Sequence, residues 1–407
     1  MARLLAGGES SRALVNGAAR GVLQREIRTK PDDIETDQGP TEARPILIRL
    51  RDGLKAYYGA RRSEERFSLL KLMHRNILDW LAAYKASPAA TGGGSRVNFK
   101  LGIFKTEIDD ELPGATEQSE YVEQMRLGKF EYTSFESGGQ VRMAEALMVG
   151  ETPKGYEKLN PEEIAAKGMG PQALSLVRDF GLTEAETLAI KVYSVGDYRA
   201  INATLGLYDD NRLTTALHEM GLVKDRNKVP VLPPEGVVAP QDPAKKALWE
   251  KQKAKFGWYA SAFKPDLAKV KAEALRHAEI LKSAFRKMPR FDSARDKSTW
   301  RGMRLDPQWP DYTSFTTQHS IIAVKNYVST SKDRGQGERF ASKKTNDGRK
   351  GLLLECVLKN GRDISMLSEH GAEKEVLLLP GAQLKVLKAT PAHASLPYDW
   401  LVKVEEQ

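Results

Sequence analysis

Two glutamates near the end of the chain have the spacing that most directly suggests chemistry. Glu373 and Glu375 flank Lys374 at the start of the apolar run 376–379. Residues i and i+2 of an extended strand point to the same side, so we expect both carboxylates to project from one edge of a buried strand. Neighbouring carboxylates repel each other. This segment alone is compatible with a solvated strand end, and the alternative is a site that uses both charges.

Two further polar features precede the glutamates. Arg301 lies in TWRGMRL (299–305), and a Ser-Thr-Ser run ends NYVSTS (326–331). Each is common in isolation, because an arginine in a strand is usually solvated or ion-paired and Ser-Thr-Ser often forms a strand edge. Their combination in the order Arg, Ser-Thr-Ser, Glu-x-Glu, each on a predicted strand, is much more specific.

The elements that must position these residues are short strands. The candidates after residue 289 are STWRGMRL (298–305), SIIAVKNYVSTS (320–331), GLLLECVLKN (351–360), EVLLLPGAQLKVLKA (375–389) and DWLVKVEEQ (399–407). Gly, Pro, Asp and Asn separate them, as expected for strands joined by turns. Two amphipathic helices precede the strands, and helices followed by a run of strands predict an α+β fold.

The two helices have recognisable starts. Thr183 and Glu186 form a capping-box pattern before the first, and Pro265 opens the second. The first helix would place Leu188, Val192 and Tyr193 on one face, and the apolar stripe of the second is Leu267, Val270, Ala274, Leu281 and Phe285.

The N-terminal part differs in composition. Residues 1–45 are predicted to be a flexible leader that serves as a secretion or loading signal, because their composition resists core formation. Residues 46–165 are predicted to be a helical and mixed accessory region. It contains a helical pattern over 46–84, a linker over 86–95, and strands over 97–108 and 128–138. Residues 224–258, rich in Pro and Lys, are expected to form a surface connection.

The bulk composition limits the partners and cofactors. The 407 residues contain 63 Lys and Arg against 54 Asp and Glu, and the net charge of +9 favours nucleic acid, anionic membrane or phosphate-bearing ligands. The single Cys356 excludes an internal disulfide framework and a cysteine zinc site, and it is predicted to be a buried apolar residue. The six histidines show no metal spacing, so we expect no metal. No apolar run is long enough for a membrane span, and there is no secretory signal.

The ordered triplet resembles the arginine-specific mono-ADP-ribosyltransferases, a family of bacterial toxins and effectors marked by Arg, Ser-Thr-Ser and Glu-x-Glu. TEAETLAIKVYSVGDYRAIN (183–202) resembles the family's leading helix, and EKEVLLLPGAQLKVL (373–387) resembles its final catalytic strand. The resemblance covers roughly residues 170–405. It implies an ADP-ribosyltransferase-like split β-sandwich with flanking helices over 166–407, with NAD as co-substrate.

The resemblance also implies roles for individual residues. Glu375 would stabilise the sugar cation formed as nicotinamide leaves, and Glu373 would orient and help deprotonate an attacking guanidinium. Arg301 would bind the NAD pyrophosphate or ribose. The implied catalytic set is Arg301, Ser329, Glu373 and Glu375, and the implied NAD-binding set is Arg301, Gly302, Ser329, Thr330, Ser331, Phe340 and Glu375.

Two of these implied features leave alternatives. Phe340 would stack on nicotinamide, and a core role is the alternative. The loop LSEHGAEKE (367–375) carries only His370 as a ring, where family members often place an aromatic that recognises the protein target.

The implied function is that of a toxin or effector that modifies arginine on a target protein in another cell. It would be secreted without a classical signal peptide, through a delivery apparatus, and act in the cytoplasm of the target cell. The alternatives are an NAD glycohydrolase and a non-catalytic basic protein that binds nucleic acid or has a structural role. The charge of +9 also leaves a nucleic-acid acceptor open.

Overall fold

A computed structural model describes residues 27–37, 39–87, 96–127, 130, 137–206, 213, 217, 266–342 and 348–407. The chain divides into two compact units, Met1–Glu123 and Gln124–Gln407. The predicted start of a catalytic domain at residue 166 stays a prediction. Residues 1–26, most of the predicted linker 86–95, most of the predicted strand 128–138 and the connection 224–258 lie outside the described residues.

The first unit is helical in its described part. Two short 3-10 turns, Pro31–Asp33 and Thr41–Ala43, lead into α1 (Arg44–Gly59), and α2 (Ser63–Lys85) follows. A third helix, α3 (Arg96–Arg126), begins in this unit. The helical pattern predicted over 46–84 is confirmed, as two helices separated by residues 60–62.

The strand predicted over 97–108 is wrong, because this segment is the first part of α3. Its apolar residues fit both the period of a strand and that of a helix. Those at the helical spacing are the ones that are buried. Val97, Leu101 and Phe104 are buried in the helical core of the unit, whereas Phe99, which a strand would have placed on the same face as Val97 and Leu101, is 72% exposed. Packing against α1 and α2 therefore selected the helix over the strand that the local alternation had predicted.

Part of the predicted leader is packed. Ile27, Ile34 and Ala43 are buried in the same core as Leu47 and Trp80. The described part of the segment 1–45 is therefore anchored rather than free, and its expected role as a loading signal stays a prediction.

The second unit contains nine described α-helices. They are α4 (Ser137–Val149), α5 (Pro161–Ala166), α6 (Pro171–Asp179), α7 (Glu184–Val192), α8 (Tyr198–Leu205), α9 (Leu267–Lys287), α10 (Ser293–Asp296), α11 (Pro310–Thr316) and α12 (Arg334–Ala341). A π-helical segment, Tyr193–Asp197, joins α7 to α8.

The two helices expected from the sequence are confirmed. The Thr183 hydroxyl accepts from the Glu186 N–H and the Glu186 carboxylate accepts from the Thr183 N–H, so the capping box opens α7. Asp266 caps α9 through its bond from the Lys269 N–H, one residue after the predicted Pro265, which lies outside the described residues. Of the predicted stripe, Leu267 is half-buried, and the other members are buried: Val270, Ala274, Leu281 and Phe285.

Eight strands form the sheet of the second unit. They are β1 (Thr299–Leu305), β2 (Ile321–Ala323), β3 (Val328–Ser331), β4 (Lys350–Val357), β5 (Arg362–Asp363), β6 (Glu375–Leu378), β7 (Gln383–Pro391) and β8 (Trp400–Glu406). The order is β2-β7-β8-β4-β1-β3-β6-β5, and among these strands in the described part of the chain only the β4–β8 pair is parallel. The predicted α+β class is confirmed, and the short β5 is an addition to the predicted strands.

Strand β4 shows how the sheet separates two apolar layers. Leu352, Leu354 and Cys356 belong to one buried cluster, whereas the intervening Leu353 packs in a second cluster with Tyr398. This alternation places consecutive side chains on opposite faces. Cys356 is buried and free, as predicted, and burial raises the pKa of its thiol to about 12.

Candidate active site

A cleft of about 400 Å³ lies in the second unit, where β1, β3 and β6 meet α8 and α12. All the residues implied as site residues line it: Arg301, Gly302, Ser329, Thr330, Ser331, Phe340, Glu373 and Glu375. Because β1 pairs with β3 and β3 pairs with β6, the three features that are far apart in sequence become neighbours across the sheet.

Arg301 is held on β1 with part of its hydrogen-bonding capacity unused. Its Nη1 donates to the backbone oxygen of Ser329 over 2.6 Å. Its Nε is buried and has no hydrogen-bond acceptor among the described residues. Burial lowers the pKa of the guanidinium, and the negative charge of Glu375 is among the effects that oppose this. A buried N–H without an acceptor is unfavourable, so this donor is suited to an acceptor on a ligand.

Glu375 is the first residue of β6 and faces Ser331 of β3 in the strand register. Burial is the largest effect on its pKa and raises it, and the nearby charge of Glu373 raises it further. A hydrogen bond with the Ser329 side chain opposes the shift, as does the positive charge of Arg301. Ser329 thus binds Arg301 through its carbonyl, and its side chain favours the ionised form of Glu375.

Glu373 is not on the strand, which corrects the expectation that both glutamates project from one extended segment. It ends a 3-10 turn, Gly371–Glu373, and Lys374 after it is left-handed, with φ 50° and ψ 50°. The strand begins only at Glu375. Both carboxylates still line one cleft, but a turn brings them together rather than the period of a strand.

The hydroxyls of Thr330 and Ser331 tie β3 to the segment that carries the glutamates. The Thr330 Oγ1 donates to the Val376 carbonyl over 2.8 Å. The Ser331 Oγ donates to the Glu373 carbonyl over 2.6 Å and accepts from the Asp333 N–H over 2.9 Å. Both residues therefore hold backbone around the cleft, and Ser331 fixes the end of the turn.

Gly302 allows α12 to lie directly on β1. A Cβ at this position would be 1.9 Å from the Gly337 carbonyl oxygen and 2.4 Å from the Ala341 nitrogen. No side chain fits there without displacing the helix. Close packing of α12 places Phe340 at the cleft, where the residue is 55% exposed. Such exposure disfavours the core role considered for Phe340.

Three helical residues line the cleft that were not assigned to the site from the sequence. Tyr193 was expected on an apolar helix face, and it is buried with its ring 5.5 Å from that of Tyr327. Tyr198 lies nearby, with ring centroids 6.0 Å apart. Asn202 donates to the Tyr327 carbonyl and accepts from the Tyr327 N–H, both over 3.1 Å, and so fixes the chain just before β3. The sequence signal that could have identified these three residues is the Tyr-x4-Tyr-x3-Asn spacing within the segment 183–202.

Strand and helix neighbours complete the lining. Trp300 precedes Arg301 and carries the Arg334 guanidinium over its ring at 5.0 Å. Gln336 contributes a buried Oε1 that has no donor among the described residues. The exposed His370 is also part of the lining, in the loop that leads to Glu373. Nothing in local sequence patterns distinguished Trp300 or Gln336 from ordinary residues.

Two structural absences concern the described residues alone. Within them, no group of three or more His, Cys, Asp or Glu side chains is arranged to hold a metal ion. Among the described helices, none is both long and apolar enough to cross a membrane.

Comparisons with known proteins gave matches only among solved structures. No family model matches the chain, and no curated protein matches it. The structure is similar to the Vis toxin, an ADP-ribosyltransferase from Vibrio splendidus, with 16% identity over 65% of this chain and 90% of that chain and a TM-score of 0.35. It is also similar to the ADP-ribosyltransferase HopU1 of Pseudomonas syringae pv. tomato, with 15% identity over 68% and 99% and a TM-score of 0.35.

A third similar structure is the type III effector XopAI from Xanthomonas axonopodis pv. citri, with 13% identity over 72% and 98% of the two chains and a TM-score of 0.32. At such low TM-scores a likeness does not establish a shared fold or function. The function of this chain therefore has to be argued from the residues of its own cleft.

Proposed function

We propose that this chain is an NAD-dependent ADP-ribosyltransferase that transfers ADP-ribose to arginine on a protein and releases nicotinamide. The observation that carries the proposal is the meeting of Arg301 and Glu375 in one cleft beside Ser329. The Ser329 carbonyl accepts from Arg301 over 2.6 Å, and the Ser329 side chain opposes the rise in the pKa of Glu375, so a cation and a carboxylate from separate strands line one cleft. The ADP-ribosyltransferase-like split β-sandwich implied by the sequence belongs to this proposal.

The cleft has the groups that NAD would need. The free N–H of Arg301 suits a phosphate or ribose oxygen, because a guanidinium presents planar donors to such acceptors. The exposed ring of Phe340 offers an apolar surface for nicotinamide, and the unused Oε1 of Gln336 is an acceptor in the same cleft. No metal is required by this assignment.

The role of Glu375 follows from the charge that develops during the reaction. The bond between the ribose C1′ and the nicotinamide nitrogen breaks, and its electron pair stays with the pyridine ring. Nicotinamide departs neutral, so no acid has to protonate it. The sugar becomes cationic, and a carboxylate in a buried position stabilises such charge more than one in water. The burial that raises the pKa of Glu375 therefore also strengthens its effect on the cation.

Glu373 would serve the acceptor. A guanidine nitrogen of the target arginine forms a bond to C1′, and the proton it loses passes to a base and then to water. The half-buried carboxylate of Glu373, at the end of its turn on the cleft, is suited to orient that guanidinium and accept the proton. Water as an acceptor does not require this group, so Glu373 favours transfer over hydrolysis.

We further propose that the protein acts as an effector in the cytoplasm of another cell, reached through a delivery apparatus. The support is the basic N-terminal part of the predicted leader 1–45, residues 1–26, which precedes the packed residues of the first unit. Removing residues 1–26 should abolish export while leaving NAD turnover intact. Export that continues without them would contradict this proposal.

The function is tested by incubating the chain with labelled NAD and with bacterial or eukaryotic lysate as separate acceptors. We expect label on discrete protein bands, attached to arginine by mass spectrometry, and lost in Glu375→Gln and Glu373→Gln. Nicotinamide release with no labelled protein would indicate an NAD glycohydrolase, and label on nucleic acid would change the acceptor class. Salt-sensitive nucleic-acid binding without NAD turnover would favour the non-catalytic protein.

A further inference from the structure

Lys191 is a fully buried lysine at the end of α7 whose ammonium contacts backbone oxygens. Its Nζ donates to the carbonyls of Lys167 and Gly168, both over 3.1 Å, and to that of Leu367 over 3.2 Å. A lysine ammonium has three N–H donors, so each has an acceptor here. Lys191 thereby joins the turn before α6 to the loop that leads to the glutamates.

The two backbone segments joined by Lys191 are in direct contact. Gly168 has a φ of +64°, and a Cβ there would lie 2.7 Å from both the carbonyl carbon and the oxygen of Leu367. Any other residue at 168 would be strained and would push the loop away. The close approach and the shared ammonium fix Leu367 against this turn.

A second tie holds the same loop two residues further on. The Glu369 carboxylate accepts from Lys167 Nζ over 3.0 Å and from the Gln140 side chain. The Glu369 N–H donates to the Ser194 Oγ over 3.3 Å, and that hydroxyl donates to the carbonyl of Lys191 over 2.8 Å. The loop is thus held by α4, by the π-helical segment and by the end of α7.

These ties lead to Glu373 over a short path. The His370 N–H donates to the Ser368 Oγ, and the Glu373 N–H donates to the His370 carbonyl over 2.8 Å. At the far end, Ser331 of β3 binds the Glu373 carbonyl. We call residues 367–373 the acceptor loop. Its position is set by Lys191 and Glu369 at one end and by Ser331 at the other.

A buried lysine at this place is unusual because an apolar residue would avoid desolvating a charge. Burial lowers the pKa of Lys191 to about 7, and the negative charge of Glu369 opposes the shift. Lys167 is the second charged group close to Lys191, and its positive charge lowers the pKa of Lys191 further. A buried cation is tolerated when hydrogen bonds compensate for lost hydration, and the three carbonyls supply them.

We propose that Lys191 is a positioning residue for Glu373, holding the acceptor loop so that arginine rather than water receives the ADP-ribose. The inference rests on the proposed function. Lys191 does not line the cleft, so its effect is transmitted through the loop backbone. Its loss should impair use of the acceptor more than cleavage of NAD.

The test compares Lys191→Met with Lys287→Met as a matched control. Lys287 also ties a loop carbonyl, Gly181, and a buried carboxylate, Glu186, but neither belongs to the acceptor loop. Purified variants are assayed for transfer to an arginine-bearing acceptor and for NAD hydrolysis. A displacement of about 1 Å at a reacting group lowers rates about 10²-fold, so we expect the ratio of transfer to hydrolysis to fall at least about tenfold in Lys191→Met. The ratio should be unchanged in Lys287→Met.

Two additions keep the test decisive. If Lys191→Met does not fold, Glu369→Ala takes its place. Glu369 is partly exposed, and its replacement should lower the same ratio of transfer to hydrolysis. Hydrogen exchange of the amides in residues 364–373 should be faster in Lys191→Met and unchanged in Lys287→Met.

A wild-type ratio in both Lys191→Met and Glu369→Ala would overturn the inference. If the wild type cleaves no NAD, the proposed function fails instead. Hydrogen exchange then tests whether Lys191 holds the acceptor loop, and unchanged exchange in Lys191→Met would overturn that role.

Discussion

The floor of the cleft and the acceptor loop hold their glutamates by different means. The floor consists of the three neighbouring strands β1, β3 and β6. Glu375 lies on this floor, where the strand ladder fixes it opposite Ser331 and in one cleft with Arg301. Glu373 lies on a loop without ladder bonds, held by Lys191 and by Ser331. The sheet places the group that would break the NAD bond, and side chains from elsewhere place the group that would choose the acceptor. The two steps should therefore be separable by mutation.

The largest effect should come from the floor. Glu375→Gln removes the charge that, in the proposed reaction, would stabilise the sugar cation, but keeps the size of the side chain. We expect nicotinamide release to fall by about 10²- to 10³-fold, the usual effect of losing one preorganised electrostatic contact. Release should fall equally with arginine or water as the acceptor, and a thermal melt should show a folded protein. A variant that still hydrolyses NAD at the wild-type rate would contradict the role of Glu375.

Replacing the loop glutamate should separate the two reactions. Glu373→Gln removes the base that would accept the guanidinium proton, and general-base catalysis contributes about 10²- to 10⁴-fold. Transfer to arginine should therefore decrease by about 10²-fold or more, with a much smaller decrease in hydrolysis. The check is nicotinamide release measured with and without an arginine acceptor. Equal losses in both reactions would show that the floor and the loop act as one unit.

Gly302 tests how strictly the floor depends on backbone contact. In Gly302→Ala the new methyl group meets backbone atoms of α12, which cannot move independently of the helix. Overpacking of this kind destabilises by about 1–3 kcal/mol, so the melting temperature and NAD affinity should both fall. Gly139→Ala is the matched control in the same unit, since its Cβ would meet only the Tyr156 hydroxyl at 3.6 Å. An unchanged Gly302→Ala protein would refute the close packing of α12 on β1.

The smallest effect concerns pH. The Ser329 hydrogen bond lowers the pKa of Glu375, so Ser329→Ala should raise it. The proposed activity would require the Glu375 carboxylate and would be lost as pH falls through this pKa. The acidic limb of kcat/KM should therefore move to higher pH in Ser329→Ala. Ser331→Ala, which removes a hydroxyl bonded to backbone instead, should leave the limb in place. If the acidic limb does not move in Ser329→Ala, Ser329 does not influence the pKa of Glu375.

The same contrast explains what the sequence could predict. Strands β1, β3 and β6 were predicted because apolar runs bounded by turn residues are local signals, and their polar residues defined the floor. The left-handed Lys374 gave no such signal, so Glu373 was placed on a strand. The role of Lys191 depends on carbonyls at 167 and 367, far apart in the chain, and no local pattern predicts that contact.

The same limit applies to α3. Its alternation of Val97, Phe99 and Leu101 fits a strand, and only packing in the core of the first unit selected the helix. Asn202 shows the same limit, because its side chain is hydrogen-bonded to Tyr327, which lies more than a hundred residues later in the chain. Local periodicity therefore gave the elements near the floor, while the ties between distant elements required the structure.

The most direct measurement of the central claim is nicotinamide release from NAD by the purified chain, with and without an added arginine acceptor. We expect release by the wild type that increases when arginine is present, because the cleft would then use both glutamates. No release under either condition would contradict the assignment of Arg301, Ser329 and Glu375 to an NAD-cleaving site.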